Sequence, residues 1–255
     1  MKWMHLGIAS LVVVLAACSN QIAAEVDDSD IAQVVSADLL ESDASPQAGA
    51  FAADHDRVYK VTVKNLSSGQ PFSPGVAVVH ESWQRIFQRG RFASEGIRAI
   101  AELGDPSVAV KELTGAEGIF HVHDTAAPIR GGKELTFEVP GMAGYTRLSI
   151  SLMLICTNDG FAGLQSARLP RYKNYPVTYY ARGYDAGTEA NDEKSTSIVD
   201  PCNALGPVAF PNDGDFRTPT HERINLHPGI RGTGDLTKAH AWKEPVARIT
   251  IERIK

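Results

Sequence analysis

Three signatures of catalysis are missing from this chain. It contains no Gly-x-Ser-x-Gly elbow, no His-Glu-x-x-His pair and no phosphate-cradling glycine loop, which takes away the common serine-hydrolase, zinc-peptidase and nucleotide-hydrolysing readings. Basic charge is lacking too. Between Ser19 and Asp56 there are nine Asp or Glu and no Lys or Arg, and residues 57–255 carry 24 basic against 21 acidic residues, a net of +3. A nucleic-acid partner needs a strongly basic surface, so that class is excluded. Also absent is an apolar run long enough for a comfortable membrane span: the N-terminal stretch is too short and wrongly flanked.

What stands at the N-terminus instead is an export signal. Lys2 gives a positive start, Leu6 to Val14 an apolar centre, and Leu15-Ala16-Ala17-Cys18 a small-residue cleavage site. The last four resemble the bacterial lipobox, in which the cysteine is acylated. Residues 1–17 are thus expected to be a signal peptide, and residues 18–56 a lipidated Cys18 followed by an acidic, flexible tether. Ser19 resembles the pattern sorted to the outer membrane, so the expected address is the bacterial cell envelope, at its periplasmic or surface face. Export bears on Cys156 and Cys202, an even pair in a chain bound for an oxidising compartment. Bonded together they would close a loop worth roughly 3–4 kcal/mol. Two buried free thiols are the alternative.

Residues 57–255 read as one mainly β domain. From Arg57 to Asn65, Tyr59, Val61 and Val63 alternate with Lys60, Thr62 and Lys64, the period of a half-buried strand. Further strands are expected at Val76–His80, Gly118–His123, Glu134–Val139, Leu148–Cys156, Pro176–Ala181 and Val246–Ile254. Ser94 is a good N-cap for a single helix carrying Ile97, Ile100, Ala101 and Leu103, ended by Gly104 and Pro106. This predicts an all-β fold, an antiparallel β-sandwich with one short helix and long irregular loops. Residues 190–244 show no sustained periodicity and read as one such loop. Within it Asn212-Asp213-Gly214-Asp215 only superficially resembles a calcium loop.

Chemistry concentrates in two acidic turns, Thr157–Gly163 and Tyr184–Glu189. They place Asp159, Asp185 and Glu189 beside glycines at the ends of apolar runs, and oxygen ligands on turns suit a hard cation such as Ca²⁺. Turn formation without an ion is the alternative. Asn191, Asp192 and Glu193 follow closely, as an added ligand or as a solvated surface run. His121 and His123 form a His-x-His on one face of a strand, compatible with a transition metal. A glycosidase-like hydrolase using the same carboxylates and a structural envelope protein holding no metal are the competing function classes.

Several motifs together resemble the spondin domain. Tyr59-Lys60-Val61-Thr62-Val63-Lys64-Asn65-Leu66 and Gly69-Gln70-Pro71-Phe72-Ser73-Pro74 look like its opening, and Ala93–Glu102 like its helix. Asn158–Gly163, Tyr184–Glu189, His227-Pro228-Gly229-Ile230 and Pro245–Ile254 continue in the family's order. The resemblance implies a β-sandwich, one calcium ion held by Asp159, Asp185 and Glu189, and a role in binding or adhesion rather than catalysis. The partner would be a protein or glycan at the cell surface. Glu189 departs from the Asp usual at that place in the animal members.

Overall fold

The computed structural model describes residues 56–209 and 216–255. The signal peptide, the tether up to residue 55 with Cys18, and the Asn-Asp-Gly-Asp run at 212–215 lie outside the described residues.

The alternating stretch at the start of the domain becomes β1 (Arg57–Asn65), with Val61 and Val63 fully buried and Lys60 exposed. It is flanked by β4 (Glu134–Gly141) and β9 (Ala247–Arg253), both antiparallel to it. Because the side-chain period is two, a slip by one residue would turn the valines outward, and this fixes the register. The other strands are β2 (Phe72–His80), β3 (Ile119–Asp124), β5 (Arg147–Leu154), β6 (Gly160–Arg168), β7 (Val177–Asp185) and the two-residue β8 (Asn225–Leu226). They form one antiparallel path, β3-β2-β5-β6-β7-β9-β1-β4, with β8 on β7.

β7 turns the corner of this path. Its first half, Val177–Ala181, pairs with β9, and its last part, Arg182–Asp185, pairs with β6. The edge strands β3 and β4 approach without a ladder: the His123 ring stacks on Phe137 at 4.5 Å. The sheet is therefore nearly closed and barrel-like. His123 has a closing role here, and burial above all lowers its pKa. The His121 and His123 rings lie 6.3 Å apart.

Two larger apolar cores follow from this geometry, beside a small cluster around Cys156 and Cys202. The interior is filled from both flanks by Val61, Val63, Leu148, Ile150, Leu152, Leu154 and Ile251 among others. The outer face of β2 and β6 is covered by helices. Where the sequence predicts one helix in this domain, the described residues hold three: α1 (Glu95–Leu103), α2 (Ser107–Leu113) and α3 (Pro201–Leu205). α1 starts and ends where its caps dictate. Ser94 Oγ accepts from the Ile97 amide, and Gly104, at φ 66°, provides the left-handed turn that ends it. Its buried face, Ile97, Ile100 and Ala101, packs with Val76, Val78 and Phe161.

β6 was hidden in the sequence, where residues 157–163 read as a turn. Only Thr157 to Asp159 turn; Gly160 already begins the strand, and Tyr184 and Asp185 still belong to β7. The segment 190–244 is likewise not one loop. Besides α3 and β8 it carries 3₁₀ turns at Ser195–Ser197 and Lys238–His240.

Candidate functional site

Strand register brings the two acidic turns together. Gly160 opens β6 directly across from Asp185 at the end of β7, and the Asp159 carbonyl accepts from the Ala186 amide at 3.1 Å. Beyond it Gly187, at φ +74°, lies so close to Glu222 that an added Cβ would stand 2.7 Å from its carbonyl carbon. Only glycine tolerates both demands. The chain then runs beside Thr218–Glu222, with Thr220 and Glu222 donating to the Thr188 and Gly187 carbonyls.

Asp159 is the centre of this arrangement and has no exposed surface. Its Oδ2 accepts from the Thr188 amide at 2.7 Å, the Glu189 amide at 3.1 Å and the Thr188 hydroxyl at 3.3 Å. Its Oδ1 is buried without a hydrogen-bond partner. Burial first, and then the charge of Asp185, push the Asp159 carboxyl up to about 6, although the Thr188 and Glu189 donors pull it down. Asp185 is half-buried. Its Oδ1 accepts from the Gly187 amide at 2.8 Å, an Asx turn, and its Oδ2 from the Asn191 side chain.

Glu189, the third residue expected to hold calcium, is shared between two neighbours. Its amide joins the Asp159 cluster, yet its carboxylate Oε1 lies 3.6 Å from Arg217 Nε. Among the described residues, the one trio of His, Cys, Asp or Glu whose ligand atoms all lie within 4.8 Å of one another is Cys156, Cys202 and His240. Asp185 lies near enough for its charge to act on Asp159, while the Glu189 carboxylate faces a cation of the protein's own, Arg217.

The turn is braced from behind. Cys156 and Cys202 are joined by a disulfide, so the alternative of free thiols does not apply. Gln70 holds the Cys156 backbone at both ends: Nε2 donates to its carbonyl and Oε1 accepts from its amide, each at 3.0 Å. Thr157 Oγ1 accepts from the Gly160 amide. Asn158 donates to Asp192 at 3.0 Å, and Asp192 also accepts from Ser197 and Lys194.

Two further residues belong to this end of the fold. Glu193, for which the sequence leaves an added ligand or a solvated surface run open, is only 4% exposed. Its carboxylate accepts from the Arg231 amide at 2.6 Å and the Thr233 amide at 2.8 Å. Burial pulls its carboxyl upward, but the amides of Arg231, Thr233 and Gly232 outweigh that and hold its pKa below the usual range. A carboxylate with a depressed folded pKa stabilises above the unfolded pKa, and that stability fades as pH falls through the folded one. Glu193→Gln keeps the shape and removes the charge. It is expected to cost about 1–2 kcal/mol at pH 7 and nothing in strong acid, read from urea midpoints at the two pH values. His227 is the second. Its ring lies near Gly160, Nδ1 accepts from the Gly229 amide at 3.0 Å, and Nε2 is buried without a hydrogen-bond partner. Burial is the main reason its pKa falls to about 4, so the ring is neutral at pH 7. Its only signal in the sequence was the His-Pro-Gly-Ile motif.

Compared with models of known protein families and with curated proteins, the chain finds no match in either.

Proposed function

We propose that residues 57–255 form a calcium-binding, spondin-like adhesion or binding module, carried on a bacterial envelope protein anchored through Cys18. In this reading the strands on either side of β7 act as the two layers of a β-sandwich. One observation carries it: the Asp159 carboxylate, wholly buried beside Asp185, has an oxygen with no partner. A buried carboxylate beside a second, half-buried one is costly to ionise unless a cation neutralises it.

The residues fit a hard, oxygen-seeking ion in part. Asp159 and Asp185 would hold it directly, whereas Glu189 would join only by releasing Arg217. Bound there, the ion would supply positive charge and tie the start of β6 to the end of β7. The protein's own part is to align the Gly187–Glu189 turn on Asp159 and so order the Thr218–Glu222 segment lying along it. That ordered end of the barrel would be the surface offered to a protein or glycan partner. A carboxylate-pair hydrolase finds less support, because Asp159 has no exposed surface for a substrate bond to meet.

Calorimetry on the full chain tests the proposal. Calcium should give a saturable heat and raise the melting temperature, and chelator should reverse both. Asp185→Ala should weaken binding at least tenfold. No heat, together with a melting temperature indifferent to chelator, would leave a structural envelope protein as the better reading.

A further inference from the structure

The barrel end opposite the acidic turns gathers positive charge. β6 begins at Gly160 and ends at Arg168, which at 3.2–3.4 Å per residue separates the two ends by roughly 25 Å. Arg57 opens β1, Arg147 opens β5, Arg168 closes β6, and Arg171 follows three residues later. With Ser82 and Thr146 they line a cavity of about 440 Å³ that has no acidic residue in its wall. Asp56, 3.4 Å from Arg57 Nε, is the one ion-pair partner the four arginines have among the described residues.

The register sharpens the point. Arg147 sits directly across from Arg168, and like charges at opposed positions of a sheet repel. On β1 the same barrel sets an acid against each lysine. Lys60 is opposed by Glu252 with a 2.6 Å ion pair, and Lys64, which faces Arg248, has Glu134 across its other edge. Arg147 has His80 across its other edge instead of an acid. Four arginines lining one cavity, two of them opposed across the β5–β6 pairing, together with two hydroxyl-bearing side chains, suit a tetrahedral oxyanion, which takes several charge-assisted hydrogen bonds at once. The volume leaves room for the group that carries the anion.

We infer that this cavity is a binding site for a phosphate ester, with Arg57, Arg147, Arg168 and Arg171 holding the phosphate oxygens and Ser82 and Thr146 within its wall. The inference is independent of the calcium reading, which concerns the other end of β6. The phosphate would come either from a soluble phosphorylated compound or from a lipid headgroup.

The test uses the full chain with Cys18→Ser, which carries no acyl chain, beside the same chain with Arg147→Ser and Arg168→Ser. In chloride buffer the double variant should melt no lower than its parent, since it loses a repulsion. Inorganic phosphate at constant ionic strength should raise the parent's melting temperature by about 3 °C and leave the double variant unmoved. In flotation assays, vesicles of phosphatidylcholine with a third phosphatidylglycerol should retain the parent several-fold better than the variant, and better than vesicles of phosphatidylcholine alone. A response to phosphate alone supports a soluble ligand, and one to anionic vesicles alone supports a headgroup. If neither probe separates parent from variant, the site does not exist. Should the double variant fail to fold, Arg171→Ser, an exchange outside the strands, must at least halve whichever response the parent gives, or the inference falls.

Discussion

Replacing Cys156 and Cys202 together by alanine is expected to lower the free energy of unfolding by about 4 kcal/mol, the chain-entropy value for the closed loop. The two cysteines are 46 residues apart, and both are fully buried. For a domain of this size the loss corresponds to a fall in melting temperature of about 8–16 °C. It should also be uneven. The bond secures the small cluster of Ile155, Ile198 and Leu236, and with it the segment around α3. The strands around β1 keep their ladders without it. Hydrogen exchange should therefore quicken first in residues 195–206 and 230–236, with β1, β4 and β9 still protected. Gln70 still grips the Cys156 backbone in the variant, so the Thr157–Asp159 turn should loosen without being lost. A drop below about 1 kcal/mol would mean that Gln70 and Glu193 already hold the segment unaided.

How much of this was legible depended on the range over which each feature is determined. β1 and β9 lie between a core and a solvated face, so their alternation could be read directly. α1 was legible because Ser94 and Gly104 act on their immediate neighbours. β6 was not. From Gly160 to Leu164 it is buried on both faces and carries no alternation, and its opening residues are good turn formers. The long segment after Glu189 was missed for a different reason. Its order comes from side chains bonding to distant backbone, Glu193 to residues 38 and 40 further on and Gln70 to residues 86 and 170 away. No local pattern encodes such bonds.

The candidate site divides in the same way. Residue types and turns pointed to Asp159 and Asp185, and the register does bring those two together. That Glu189 offers its amide to Asp159 and its carboxylate to Arg217 depends on Gly187 and on the arrival of Thr218–Glu222, which spacing cannot convey. The opposed arginines were equally invisible, since Arg147 and Arg168 become neighbours only through the β5–β6 pairing. Burial of Asp159 was the least readable feature, because an Asp in an Asn-Asp-Gly run is ordinarily a surface turn residue.

That burial yields the prediction that separates an ion site from a plain turn. In chelator, Asp159→Asn should stabilise the chain relative to wild type, and by more as pH rises. The Asp159 carboxyl titrates near 6 in the fold against a usual 3.8, so between those values the folded state binds more protons than the unfolded one. Wild-type stability from this group thus declines as pH rises through that window, and the decline is complete above pH 6. The gap corresponds to about 3 kcal/mol. Depressed carboxyls such as Asp192 and Glu193 act in the opposite direction, so the quantity to measure is the difference between variant and wild type from pH 3.5 to 7.5. Asparagine still presents an oxygen to the Thr188 and Glu189 donors, which keeps the turn intact. Added calcium should reverse the order at pH 7.5: wild type gains stability while the variant, lacking the charge, does not. If the variant is destabilised in chelator at every pH, Asp159 is a neutral or well-solvated turn residue and the ion is not needed. If it is stabilised in chelator yet calcium leaves wild type unchanged, the buried charge is real and its partner is something other than calcium.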